Sequence, residues 1–130
     1  MNDHRSTFPK KERLSWKRHI DLLFQKGASF VTFPLRVIYL PVEKDFSDAP
    51  VSMFVSVSKK KLKHAVNRNY IKRRVRESYR LRKHDLIQLY AGKNKKLLLA
   101  FLYLDSTKAS FDKIDRAMTK GIHTLLKKTE

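Results

Sequence analysis

Between Lys59 and Lys83, twelve of the twenty-five residues are Lys or Arg and only Glu77 is acidic. Such a segment can join a fold only if its charges lie on one side of a regular element and its apolar residues on the other. A helix over residues 65–82 does this. At 100° per residue, Ile71, Val75, Ser78 and Tyr79 gather on one side, while Asn69, Arg73, Arg76 and Arg80 form a narrow stripe nearly opposite, flanked by Lys72 and Arg68. The apolar back needs a layer to cover it, and the cationic front needs an anion. Across all 130 residues, 30 Lys and Arg face 12 Asp and Glu, a net charge of +18. A compact domain with that excess repels itself, so a polyanionic partner is expected: nucleic acid first, an anionic membrane surface second. A plainly solvated face is the ordinary fate of a charge run, but a single acid in so long a run favours nucleic acid.

A chain of this length supports one core, so one domain is expected over residues 1–130, with residues 1–12 polar, basic and flexible. Hydrophobic residues at 42% argue against a disordered chain. The absence of cysteine excludes disulfides, thiolate metal sites and a cysteine nucleophile. The apolar run Leu97–Leu104 is far short of a membrane span, and the first residues lack the apolar stretch of a secretory signal. The expectation is a cytoplasmic protein, free of membranes and monomeric through its own charge repulsion.

Hydrophobic periodicity places the other elements. Ser15 is a candidate N-cap for a helix over 15–26 carrying Trp16, Ile20, Leu23 and Phe24, with Gly27 as its C′ residue. Residues 30–41 read as extended, with a possible split into two strands around Pro34. Residues 51–58 form a strand with Met53, Val55 and Val57 on one face and Phe54, Ser56 and Ser58 on the other. Residues 96–104 do not alternate, as expected of a central strand covered on both faces. A last helix runs from an N-cap at Ser110 to Lys128 with Phe111, Ile114, Met118, Ile122 and Leu125 as its stripe. The order α, β, β, α, β, α gives an α+β fold with a single mixed sheet and helices packed on it.

No catalytic set converges. The histidines His4, His19, His64, His84 and His123 are scattered, and none pair at metal-binding helical spacing. The acids Asp112 and Asp115 sit in the first turn of a helix, where they complement its dipole. Glu43, Asp45 and Asp48 fall in a polar loop, Gly27, Gly92 and Gly121 are too sparse to cradle a phosphate, and Ser58 with His64 lacks a third group to orient it. No catalytic residue and no metal site is expected; any chemistry lies in a partner.

The run Val55-Ser56-Val57-Ser58-Lys59-Lys60, followed by Ala65-Val66-Asn67-Arg68-Asn69-Tyr70-Ile71-Lys72-Arg73-Arg74-Val75-Arg76-Glu77-Ser78-Tyr79-Arg80, closely resembles the bacterial ribonuclease P protein component. Upstream, Glu12-Arg13-Leu14 and Leu23-Phe24-Gln25-Lys26-Gly27 look like that family's first helix, and the resemblance covers nearly the whole chain. It implies a two-layer α/β sandwich with a left-handed βαβ crossover, where general statistics favour the right hand. It also implies a basic subunit that joins a large catalytic RNA, the two together removing the 5′ leader of precursor tRNA, with Mg2+ held mainly by RNA and phosphate. The positions matching the family's RNA-binding motif are Arg68, Asn69, Lys72, Arg73 and Arg76, with Arg80 extending the stripe.

The same resemblance implies a cleft for the single-stranded leader, formed here by Ile20, Phe24, Ile38, Phe54, Ser56 and Ser58, with Lys59 and Lys60 at its rim. Many relatives carry aromatic residues at the positions of Ile20 and Ile38 and a smaller one at Phe54, so the stacking surface moves across the cleft. Periodicity alone reads Ile20 and Phe24 as core. Three other departures stand out: His64 replaces a commonly basic residue, the 59–63 loop is one residue longer than in some relatives, and Tyr70 replaces the second Arg of Arg-Asn-Arg. The Tyr70 ring has two readings, stacking on a base or packing against the neighbouring strand. A non-catalytic ribosomal or ribosome-assembly protein is the alternative function, using the same basic helix on ribosomal RNA.

Overall fold

The computed structural model describes residues 17–46 and 49–129. The segment 1–12, Ser15 and Trp16 lie outside the described residues. The elements are α1 (Lys17–Lys26), β1 (Ala28–Thr32), β2 (Leu35–Glu43), a 3-10 turn (Lys44–Phe46), β3 (Val51–Ser56), α2 (Ala65–Arg82), α3 (His84–Ala91), β4 (Lys95–Tyr103) and α4 (Phe111–Thr129). The extended stretch does split at Pro34: β1 and β2 pair antiparallel, with a cis Phe33–Pro34 peptide at their turn. One four-stranded mixed sheet results, in the order β1-β2-β4-β3, with β4 antiparallel to β2 and parallel to β3. β4 is central, which explains its unalternating apolar run.

The register sorts side chains onto two faces. Tyr39, Leu99 and Met53 line up across β2, β4 and β3, as do Val37, Phe101 and Val55. These join the larger core, covered by Ile71, Val75 and Tyr79 of α2, Leu86 and Tyr90 of α3, and Ile114, Met118, Ile122 and Leu125 of α4. On the opposite face, Ile38, Ala100 and Phe54 form one row. There α1 contributes Leu23 to a smaller core with Ile38, Val42, Leu98 and Ala100. The sheet is thus covered by α2, α3 and α4 on one face and in part by α1 on the other.

The 65–82 helix has the expected bounds, and its buried residues are Ile71, Val75, Ser78 and Tyr79. Helix α3 escaped sequence reading: its Leu86, Ile87 and Tyr90 span barely two turns, too few to establish a period. Gly27 follows the last residue of α1, as expected, its amide donating to the Leu23 carbonyl at 2.8 Å, though without a positive φ. Its role is close approach: a Cβ there would lie 2.5 Å from the Leu23 carbonyl oxygen and 2.8 Å from Ile38 Cγ2. Ser110 caps α4 as expected, its Oγ accepting the Lys113 amide at 3.2 Å.

Candidate nucleic-acid interface

Helix α2 presents its cations outward because its back is committed to the core. Asn69 and Arg73 are exposed, and Lys72, Arg68, Arg76 and Arg80 are half-buried. Lys72 and Arg73 make no ion pair with a described residue. Arg80 is held differently: its Nε and Nη2 grip Glu77 at 3.0 and 2.7 Å, and this contact keeps the Glu77 carboxyl below its ordinary pKa. An exposed pair of this kind contributes about 0–1 kcal/mol, little enough for a phosphate to displace it.

Arg68 also has a local task. Its Nη1 donates to the carbonyls of Leu62 and Lys63 at 3.0 and 2.8 Å. The lysine-rich loop is closed from its other end by Ser58, whose carbonyl accepts the amides of Lys61 and Leu62 at 3.1 Å and whose Oγ accepts that of Lys61 at 3.3 Å. Leu62 plugs into the core. Lys59, Lys60 and Lys61 are consequently displayed on a tight, anchored turn. Strand β3 stops at Ser56, so Ser58 belongs to this turn and is not a strand residue.

The second surface lies on the α1 side of the sheet. Phe24 is 44% exposed, and its ring meets that of Phe54 edge-on with centroids 6.4 Å apart. Ile20 and Phe54 are half-buried against the smaller core, whereas Ile38 is buried and forms its floor. Periodicity misread Phe24 as core because Leu23, its neighbour, takes the inward position. Ser56 lies across Leu102 from Arg36, and Arg36 across β1 from the exposed Val31. Arg36 thus adds a guanidinium to this face, its Nη1 reaching Ser29 Oγ at 3.5 Å. Strand alternation from Ile38 could have placed Arg36 here. At the other end the His19 ring lies tilted against that of Phe46, centroids 4.5 Å apart, its pKa lowered by burial and by Arg18.

Several acids are engaged by cations. Asp115, read from sequence as a dipole partner only, accepts Arg82 Nε and Nη2 at 3.1 and 2.5 Å and Ser78 Oγ at 2.7 Å, tying α4 to α2. Asp105 pairs with Lys113, and Asp21 with Lys17. Among the described residues no three of His, Asp and Glu come together as metal donors, and no helix is long and apolar enough to cross a membrane.

The Tyr70 ring is half-buried against the larger core, with the Arg74 guanidinium carbon 4.2 Å and the Lys108 Nζ 4.6 Å from its centroid. Sequence reading missed Arg74 as a partner of this ring, although the i, i+4 spacing from Tyr70 was visible; Lys108, from a distant loop, was not findable that way.

A family model described as Ribonuclease P matches residues 8–127. A ribonuclease P protein component from Porphyromonas gingivalis is 39% identical over 113 residues, covering 87% of this chain and 82% of that protein. One from Chlorobaculum tepidum is 37% identical over 105 residues, covering 75% and 68%. Among solved structures, the RNase P protein from Thermotoga maritima superposes with a TM-score of 0.63 at 22% identity, covering 92% of this chain and 98% of that one. A Staphylococcus aureus RNase P protein gives 0.61 at 20% identity, covering 91% and 97%. The structural likenesses support the fold; the sequence matches carry the family. None of these relatives is a ribosomal protein, so the ribosomal alternative finds no support.

Proposed function

The chain belongs to the ribonuclease P protein family and is a protein component of ribonuclease P; from that premise we propose how its two surfaces divide the work. The front of α2, with Asn69, Lys72, Arg73 and Arg76 at its centre and Arg68 and Arg80 at its ends, grips phosphates and sugars of the large catalytic RNA. Guanidinium forks suit phosphate oxygens, and Asn69 offers both donor and acceptor. The α1 face receives the 5′ leader of precursor tRNA. Phe24 and Phe54 supply the stacking surface, Ile20 and Ile38 support it, and Ser56, Lys59, Lys60 and Arg36 face the backbone. Ser58 acts by shaping the lysine turn. Stacking on aromatic rings tolerates any base, as a leader of variable sequence requires.

Hydrolysis belongs to the RNA in this reading, and Mg2+ is held by RNA and substrate phosphate. Among the described acids, Glu77, Asp115, Asp105, Asp21 and Glu43 are each paired with a cation. A single copy suffices to present both surfaces. The observation that carries the proposal is the exposed Arg73, with the adjacent Lys72, on a helix whose back is sealed into the core, neither cation paired with a described acid. Binding of the cognate catalytic RNA across a salt series tests it. With roughly six phosphates neutralised, affinity falls on the order of a thousandfold between 50 and 200 mM salt. Salt-independent binding, or none, refutes it.

A further inference from the structure

The front of α2 does not account for a second cationic arrangement on its flank. Arg74 and Lys108 come from different elements, yet both sit against the ring of Tyr70, which places the two charges within about 9 Å of each other. Neither pairs with a described carboxylate, and Arg74 Nε is buried without a hydrogen-bond partner. A ring face holds a cation without consuming its N–H donors, so Arg74 is fixed in place with its hydrogen-bonding capacity unspent.

The loop that carries Lys108 is built to be rigid. Tyr103 Oη donates to the Thr107 carbonyl at 2.5 Å and accepts the Ala109 amide at 2.9 Å, bracketing Lys108 from both sides. Asp105 Oδ1 accepts both the amide and the hydroxyl of Thr107 at 3.0 Å. Two like charges are thus held at one ring with neither paired to a described acid, an arrangement that an anion stabilises.

We propose that Tyr70, Arg74 and Lys108 form a phosphate-binding subsite for the backbone of the catalytic RNA, in which Arg74 and Lys108 supply the cations and Tyr70 is the positioning residue that holds both. The inference rests on the reading that α2 faces that RNA, since Tyr70 and Arg74 lie on the same helix one step around from Arg73.

The test uses the full chain and a transcript of its cognate catalytic RNA, with binding measured across a salt series and folding checked by circular dichroism. The double variant Arg74→Gln, Lys108→Gln is expected to bind on the order of tenfold more weakly at low salt, with a log–log salt slope shallower by about one to two. Tyr70→Leu is expected to lose part of that affinity although both cations remain, and Tyr70→Phe to recover it. Should Tyr70→Leu unfold, the charge variants decide alone. Wild-type affinity and slope in the folded double variant, alongside a loss in Arg73→Gln, overturns the subsite and spares the reading of α2; no loss in either variant overturns both. A defect confined to precursor tRNA binding by the assembled holoenzyme overturns the assignment to the catalytic RNA.

Discussion

The ring of Phe24 stands edge-on to that of Phe54, at an interplanar angle of 82°, joining α1 to β3 across the row formed by Ile38 and Ala100. Leu23 of α1 is buried in the smaller core with Ile38, Val42, Leu98 and Ala100, while Phe24 beside it stays at the surface. Phe24→Ala should therefore cost only about 1 kcal/mol of stability, the worth of one aromatic pair. It should weaken binding of leader-bearing precursor tRNA to the holoenzyme by about 1–3 kcal/mol and leave mature tRNA unaffected. Equal losses for both substrates would assign Phe24 a purely structural role.

Arg68 serves two masters that substitution can separate. Arg68→Ala should remove about 1–3 kcal/mol of charge-assisted hydrogen bonding to Leu62 and Lys63, speeding amide hydrogen exchange at Lys61 and Leu62. Arg68→Lys keeps the charge but not the fork. It should show the same accelerated exchange with a nearly unchanged salt dependence of RNA binding. Unaltered exchange in both variants would mean that the lysine turn holds itself.

The Asp115 carboxyl is held below its ordinary 3.8, first by its hydrogen bond from Arg82 and then by Ser78 and the Arg82 charge, with burial opposing. A carboxyl depressed in the folded state stabilises the protein above its unfolded pKa and loses that contribution as pH falls through the folded value. Asp115→Asn should lower stability by about 1–2 kcal/mol at pH 7. The deficit should begin to shrink as pH drops below the unfolded value of about 3.9, where the unfolded carboxyl takes up a proton, and vanish once pH has fallen through the lower folded value. Urea unfolding at pH 7 and pH 3 measures both; a deficit constant with pH would contradict the linkage.

Gly27→Ala should destabilise the fold by about 1–3 kcal/mol, because the new methyl collides with the Leu23 carbonyl and Ile38 Cγ2. Thermal unfolding reads this directly. Unchanged stability would show that α1 can shift on the sheet without penalty.

Much of this molecule was legible in its sequence because its signals were periodic. Helix α2 declared itself through Ile71, Val75, Ser78 and Tyr79, and its stripe through Asn69, Arg73, Arg76 and Arg80, since burial and charge there follow one turn length. Strand β3 announced the face of Phe54 by alternation. What failed to show depended on contacts between elements distant in the chain. Arg82 and Asp115 meet across two helices, Lys108 reaches Tyr70 from another loop, and the row Arg36, Leu102, Ser56 exists only once three strands are in register. Phe24 and Leu23 were separable only by knowing which of the two turns toward the core with Ile38 and Leu98.

Leader cleavage at low magnesium is the most direct measure of the central claim. Added to its cognate catalytic RNA, the protein should greatly increase the rate of 5′ leader removal from precursor tRNA, while the protein alone cleaves nothing. A catalytic RNA whose activity the protein leaves unchanged, or cleavage by the protein without RNA, would contradict the account.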